Sequence, residues 1–170
     1  MFKGTYRHRI DLKGRLPVPA AFRRELADGG ATTVVVTLLD QCLAAYAPAD
    51  WARLEQQLAA LPAFSAPVKA LTRLLASRAA DCPLDVQGRI LLPPPLRSAA
   101  NLEREAVVVG VLNRFEVWPP AAWDGFLQES ERLLEDVSLD VQWPPPPVPA
   151  GAPPATPPGA PSLPQAKPRR

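Results

Sequence analysis

A chain of 170 residues with 47% apolar and 21% charged content can bury a real core, which excludes a fibrous or wholly disordered protein. No apolar run approaches the roughly 20 residues of a membrane helix, and Met1-Phe2-Lys3 opens no apolar leader, so the expected location is cytoplasmic. The net charge of +2 is small, but it is unevenly spread: residues 1–24 hold Lys3, Arg7, Arg9, Lys13, Arg15, Arg23 and Arg24 against the single acid Asp11. Acids gather late, in Glu129, Glu131, Glu135, Asp136 and Asp140. A solvated charged face is the plain alternative for either cluster.

Residues 5–10 alternate, with Thr5, Arg7 and Arg9 on one face and Tyr6, His8 and Ile10 on the other, which predicts a half-buried strand. The turn that follows reads Asp-Leu-Lys-Gly-Arg over 11–15; Gly14 supplies a positive φ and Asp11 can accept backbone N–H groups within it. A second short strand holds Pro17, which fits only an edge or a position outside the hydrogen-bonded pairs. Pro19 suits a helix start, continued over residues 20–26. Residues 33–38 and 42–46 then form a hairpin about Asp40-Gln41. Trp51, Leu54, Leu58 and Leu61 fall on one face of a following helix, and Val68, Leu71 and Leu75 mark a third. Such stripes face either a core or another protomer, the core being the default.

The same succession then recurs. Asp11, Gly14, Arg15, Pro19 and Arg23 meet Asp85, Gly88, Arg89, Pro93 and Arg97 at one constant offset, with Leu16 opposite Ile90 and Phe22 opposite Leu96. The second turn reads Asp-Val-Gln-Gly-Arg over 85–89, followed by a helix over 96–102 whose start Pro94 and Pro95 extend, leaving its first turn open to distortion. A hairpin of residues 106–112 and 115–118 turns about Asn113-Arg114. The last amphipathic helix carries Trp123, Phe126 or Leu127, Leu133 or Leu134, and Val137. From Trp143 onward proline dominates and acids vanish, a composition expected of a disordered, partly polyproline II tail. The expected division is a first repeat over 5–48, a helical connector over 49–78, a second repeat over 79–121, a C-terminal helix over 122–142 and the tail over 143–170.

His8 is the only histidine, no nucleophile adjoins the Asp-Arg pairs, and no Gly-rich phosphate loop occurs, so no enzyme and no cofactor are expected. Cys42 and Cys82 lack the spacing of a metal site and read as buried, reduced thiols. A turn pinned by Asp and Gly can hold the next Arg rigidly, its planar fork set for a phosphate or a guanine edge. Simple stabilisation of the turn by an Asp11–Arg15 pair is the bland reading, and a scaffold offering its proline tail to a partner is the rival function.

The recurrence is more specific than either turn alone. From Met-Phe-Lys-Gly at 1–4, through Asp11-Leu-Lys-Gly-Arg-Leu-Pro-Val-Pro-Ala-Ala-Phe-Arg23, Asp40-Gln-Cys-Leu and Tyr46, to Asp85-Val-Gln-Gly-Arg-Ile-Leu-Leu-Pro93 and Val108-Val-Val-Gly-Val-Leu-Asn-Arg-Phe-Glu-Val-Trp118, the chain resembles the MraZ family of bacterial regulators. The resemblance implies two AbrB-like repeats in an α+β, mainly β fold of swapped-hairpin, double-split barrels, and a homo-oligomeric ring. It further implies nucleoid association and binding to direct repeats in promoter DNA of a division and cell-wall gene cluster, usually as a repressor. On that resemblance Arg15 is the principal DNA contact, Asp11 its positioner and Lys13 a phosphate contact. Gly14, Arg7 and Arg9 complete the first set, and Asp85, Gln87, Gly88 and Arg89 form its second copy. Because Gln87 stands opposite Lys13, the second repeat is expected to serve assembly more than charge-driven DNA contact.

Overall fold

The computed structural model describes residues 1–62 and 64–136. The expected tail, and the expected helical residues beyond 136 with Val137, lie outside them.

The first repeat runs β1 (Phe2–Arg9), β2 (Arg15–Pro17), α1 (Ala20–Asp28), β3 (Thr33–Leu39) and β4 (Cys42–Tyr46). Helices α2 (Pro48–Ala59) and α3 (Ala66–Ser77) lead to the second: β5 (Ala80–Pro83), β6 (Arg89–Leu91), α4 (Pro94–Ala99), β7 (Glu105–Leu112), β8 (Arg114–Trp118) and α5 (Pro120–Asp136). Each described helix opens on a proline at its N-cap or in its first turn, where N–H groups have no intrahelical acceptor and a missing one costs nothing. Pro94 and Pro95 therefore begin α4 without distorting it, and Arg97 N–H still reaches Pro93 O at 3.0 Å. The helix is shorter than the expected 96–102 because Asn101 takes a φ of 52° and Leu102 N–H closes on Arg97 O at 2.9 Å. Gly30 and the bond from Ala31 N–H to Leu26 O end α1 the same way.

The α+β class and the two repeats stand, and the hairpin exchange takes place between the repeats of one chain. Six antiparallel strands follow the order β1-β7-β8-β4-β3-β5, and β2 pairs with β6 in a separate two-stranded ribbon. Among the strand pairs of the described residues, β3–β4 and β7–β8 are the two internal to a repeat, beside an isolated bridge from Leu84 to Ile90; β1–β7, β2–β6, β3–β5 and β4–β8 all join one repeat to the other. The repeats thus share one six-stranded sheet and one ribbon, each lending strands to the other. Pro17 stands opposite Arg89, and the flanking bonds run from Val18 N–H to Gly88 O and from Leu92 N–H to Gly14 O, so its missing donor falls outside the ladder.

The inner sheet face, α1, α4 and the ribbon enclose the main core: Phe2, Leu16, Phe22, Leu26, Val34, Val36, Ile90, Leu92, Leu96, Val108 and Phe115. Phe22 lies 5.3 Å from Phe2, 5.2 Å from Tyr6 and 5.5 Å from Phe115, so its ring joins α1 to both repeats. Strands β3 and β7 are buried on both faces, which explains the unbroken runs Val34-Val35-Val36 and Val107-Val108-Val109. On the outer face Trp51 and Leu75 pack with Val35, Ala44 and Tyr46, while Trp118 and Trp123 pack with Val107 and Val109. The expected stripes overreach: Leu61, Leu71, Phe126, Leu127 and Leu133 are each at least 40% exposed. Cys42 and Cys82 are buried and free, and burial pushes the Cys82 thiol up to about 11.

Candidate nucleic-acid interface

Each turn is organised by its aspartate. Asp11 Oδ1 accepts the N–H groups of Lys13 and Arg15, both at 2.9 Å, and Oδ2 accepts Arg15 Nε at 2.6 Å. Gly14 N–H donates to Asp11 O at 2.9 Å, with φ at 87°. The second copy repeats this: Asp85 Oδ1 takes Gln87 and Arg89 N–H at 2.9 Å, Oδ2 takes Arg89 Nε at 2.8 Å, and Gly88 N–H closes on Asp85 O at 2.8 Å. The backbone N–H of Arg15, foremost, holds the Asp11 carboxyl below the usual carboxylate range, and the Arg89 side chain does the same for Asp85. Both aspartates therefore stay ionised through the neutral range.

The ribbon sets where the arginines go. Leu16 and Ile90 alternate inward and are fully buried, which turns Arg15, Pro17, Arg89 and Leu91 to the outer side. Arg15 and Arg89 are thus diagonal neighbours on one exposed two-stranded ribbon, and Arg89 Nη1 comes within 3.8 Å of Asp11 Oδ2. Their guanidinium groups are not equally engaged. Arg15 gives Nε alone to Asp11, while Arg89 commits both Nε and Nη2 to Asp85 and is the more buried, at 22% against 34% side-chain exposure. Arg15 therefore keeps more of its fork for an outside ligand.

The family model for the MraZ protein, which carries the description antitoxin-like, matches residues 1–74 and again residues 75–139. The chain belongs to the MraZ family. It is 44% identical over 138 residues to a protein of Ligilactobacillus salivarius (strain UCC118) named Transcriptional regulator MraZ, covering 81% of this chain and 94% of that one. A protein of the same name from Limosilactobacillus reuteri (strain DSM 20016) is 44% identical over 144 residues, covering 82% of this chain and 99% of that one. Both turns lie within matched repeats, so the family covers the whole of the ribbon.

The basic segment seen in the sequence is not one surface. Lys13 and Arg15 belong to the first turn, but Arg7 points to the outer sheet face and pairs with Asp124 of α5 at 3.1 Å. Arg9 stays 81% exposed and only grazes Glu105 at 4.0 Å. Arg23 leaves its own repeat for the second turn, donating to Gln87 O at 3.4 Å. His8 turns inward as alternation requires; burial first, and the charge of Arg23 second, push its pKa down, and its Nε2 is buried without a partner among the described residues. Among the described residues no cluster of His, Cys, Asp or Glu could hold a metal ion, and no helix is long and apolar enough to cross a membrane.

Three features escaped the sequence reading. Leu12 and Val86, at matching turn positions, are 87% and 106% exposed, apolar side chains presented at both turn tips. Arg23 was visible as a repeat identity and a member of the basic segment, Arg97 as a repeat identity alone, and their position over the opposite turns follows from the exchange of strands. Arg104 joins the first turn from the second repeat, its carbonyl accepting Ile10 N–H at 2.8 Å.

Proposed function

We propose that the protein is a sequence-specific DNA-binding transcriptional regulator, a repressor acting at direct repeats in the promoter of its own division and cell-wall gene cluster. The observation that carries the reading is the outer face of the β2–β6 ribbon, where two aspartate-braced turns hold Arg15 and Arg89 side by side. A two-stranded ribbon of this width fits the major groove, and a rigid arginine can grip a guanine edge bidentately. Arg15 is the principal contact because its fork is less committed, Asp11 positions it, and Lys13 reaches phosphate. Asp85, Gln87, Gly88 and Arg89 supply a second, weaker turn. Arg9 flanks the first turn, and Arg7 contributes to the field rather than to base reading.

Several ribbons act together in a homo-oligomeric ring, a reading supported by the exposed apolar side chains of Leu71 and Leu74 on α3 and of Phe126, Leu127 and Leu133 on α5. The working place of such a protein is the cytoplasm, at the nucleoid. The test is a band-shift titration on DNA upstream of the protein's own gene, at several salt concentrations, with Arg15→Ala beside the wild type. Loss of one bidentate base contact predicts about 1–3 kcal/mol, or roughly 5- to 150-fold weaker binding. A folded Arg15→Ala protein with unchanged affinity would remove Arg15 from the interface.

A further inference from the structure

Each turn is covered by an arginine from the other repeat. Arg23, on α1, lies across Gly88: a Cβ placed there would meet its Cδ, with Nη1 at 2.5 Å and Nε at 2.8 Å. Arg97, on α4, lies across Gly14, where a Cβ would meet Nη1 at 2.8 Å and Cδ at 3.6 Å. The forks are tied to backbone: Arg23 Nη1 donates to Gln87 O at 3.4 Å and Arg97 Nη2 to Glu103 O at 3.2 Å. Arg97 Nε is buried with no hydrogen-bond partner among the described residues. Both side chains are half-buried rather than extended into solvent.

Three physical consequences follow. First, the two glycines have a double reason: φ of 87° and 72° favours glycine, and the arginine stems leave no room for a side chain. Second, the turn tips have little other packing, since Leu12 and Val86 project into solvent, so the crossing stems are what close the turns from outside. Third, each guanidinium gives one Nη to a main-chain oxygen and, in Arg97, the Nε is buried as well, so these arginines are placed to shape the turns rather than to reach out for a phosphate.

We propose that Arg23 and Arg97 are positioning residues, each setting the pose of the opposite repeat's turn, so that Arg97 governs presentation of Arg15 and Arg23 governs presentation of Arg89. The proposal rests on the DNA reading above and adds to it a cross-repeat coupling that lets neither turn be read independently of the other repeat.

The experiment is a double-mutant cycle on the full chain, using the duplex upstream of its own gene across a salt series, with amide hydrogen exchange at Gly14 and Gly88 in the free protein. Arg97→Ala should weaken binding by about tenfold, a coupling of the size seen within one contact network. The salt slope should stay unchanged, little further loss should appear on adding Arg97→Ala to Arg15→Ala, and exchange should quicken at Gly14 and not at Gly88. Arg23→Ala should give the mirror result at Gly88 and couple to Arg89→Ala. A salt slope shallower by about one would make the arginine a direct phosphate contact and overturn the proposal. So would full additivity with Arg15→Ala, unchanged affinity, or equal quickening at both glycines. Should Arg97→Ala not fold, Arg97→Gln, which is cut short of the Nη1 that lies over Gly14, is judged by the same coupling and exchange. If the wild type fails to bind the duplex, the DNA reading falls, while the exchange pattern at Gly14 and Gly88 still decides the clamp.

Discussion

Gly110→Ala is the sharpest test of how the two repeats interlock. In β7 Gly110 stands opposite Gly4 of β1, and a Cβ built on it would lie 2.5 Å from Phe2 C and 2.7 Å from Lys3 Cα, closer still to Lys3 N. All three are backbone atoms, so no rotamer change relieves the clash. Ordinary carbon contact begins near 3.5 Å, so the start of β1 must withdraw by about 1 Å. That withdrawal moves Phe2, 3% exposed, away from its edge contacts with Phe22 at 5.3 Å and Phe115 at 5.4 Å. Overpacking of this kind costs about 1–3 kcal/mol. For a domain of this size the expected fall in Tm is roughly 4–12 °C. The control is the same chemical change in α5: a Cβ on Gly125 would have nothing within 4 Å, and Gly125→Ala should stabilise by about 0.5–1 kcal/mol. Urea melts followed by tryptophan fluorescence would read both variants. An unchanged midpoint for Gly110→Ala would show that β1 does not lie on β7 in this register, and one of the cross-repeat pairings would fail.

Acid should weaken the protein through the two turns. The carboxyls of Asp11 and Asp85 are depressed in the folded state, so their contribution is whole above the unfolded value of about 4 and is lost as pH falls through the depressed values. In Asp11→Asn the acid limb of a stability-versus-pH curve should be shallower than in the wild type, and an identical limb would refute the assignment. His8 acts higher up the scale: its lowered pKa means the unfolded chain binds the proton first, so stability declines as pH drops below about 6.5 towards the depressed value. His8→Gln should abolish that step in urea midpoints measured between neutral and mildly acid pH; a step that persists would place its origin elsewhere.

What could be read from the sequence was local chemistry. Asp11, Gly14 and Arg15 form the expected turn because the bonds that shape it join residues no more than four apart. The starts of α1 and α4 were legible in Pro19 and Pro93, and the inward set of Tyr6, His8 and Ile10 in simple alternation. Strand partnership was not legible, since the run Val107-Val108-Val109 reports burial on both faces without naming the neighbour on either side. The same gap hid the arginine clasp: Arg97 meets Gly14 only because β2 lies against β6. Counting charge by segment also misled, because Arg7 is drawn to Asp124 and Arg23 to the second turn, whereas Arg97 is brought to the first. The greater engagement of Arg89 by Asp85, rather than the replacement of lysine by Gln87, is the structural ground for an unequal pair of turns.

The exchange of strands also decides what half of this chain can do. Cutting after residue 78 removes the β1–β7, β2–β6, β3–β5 and β4–β8 pairings and leaves only the β3–β4 hairpin on the first piece. Phe22 would lose Phe115, and Leu16 would lose its partner strand Ile90, so the apolar side of α1 and β2 would face water. Burying one such side chain is worth about 1.5–3 kcal/mol, and a small domain retains only about 5–15 kcal/mol in total, so a fragment of residues 1–78 should not persist as a folded monomer. Because the repeats share one plan, a second copy of the fragment can take the place of the missing half, with ribbon strand β2 pairing with its own counterpart. The expected result is a concentration-dependent dimer by analytical ultracentrifugation, with folding lost on dilution. A cooperative, concentration-independent monomer of residues 1–78 would mean that each repeat closes its own barrel, and the coupling of one turn to the other repeat would lose its structural basis.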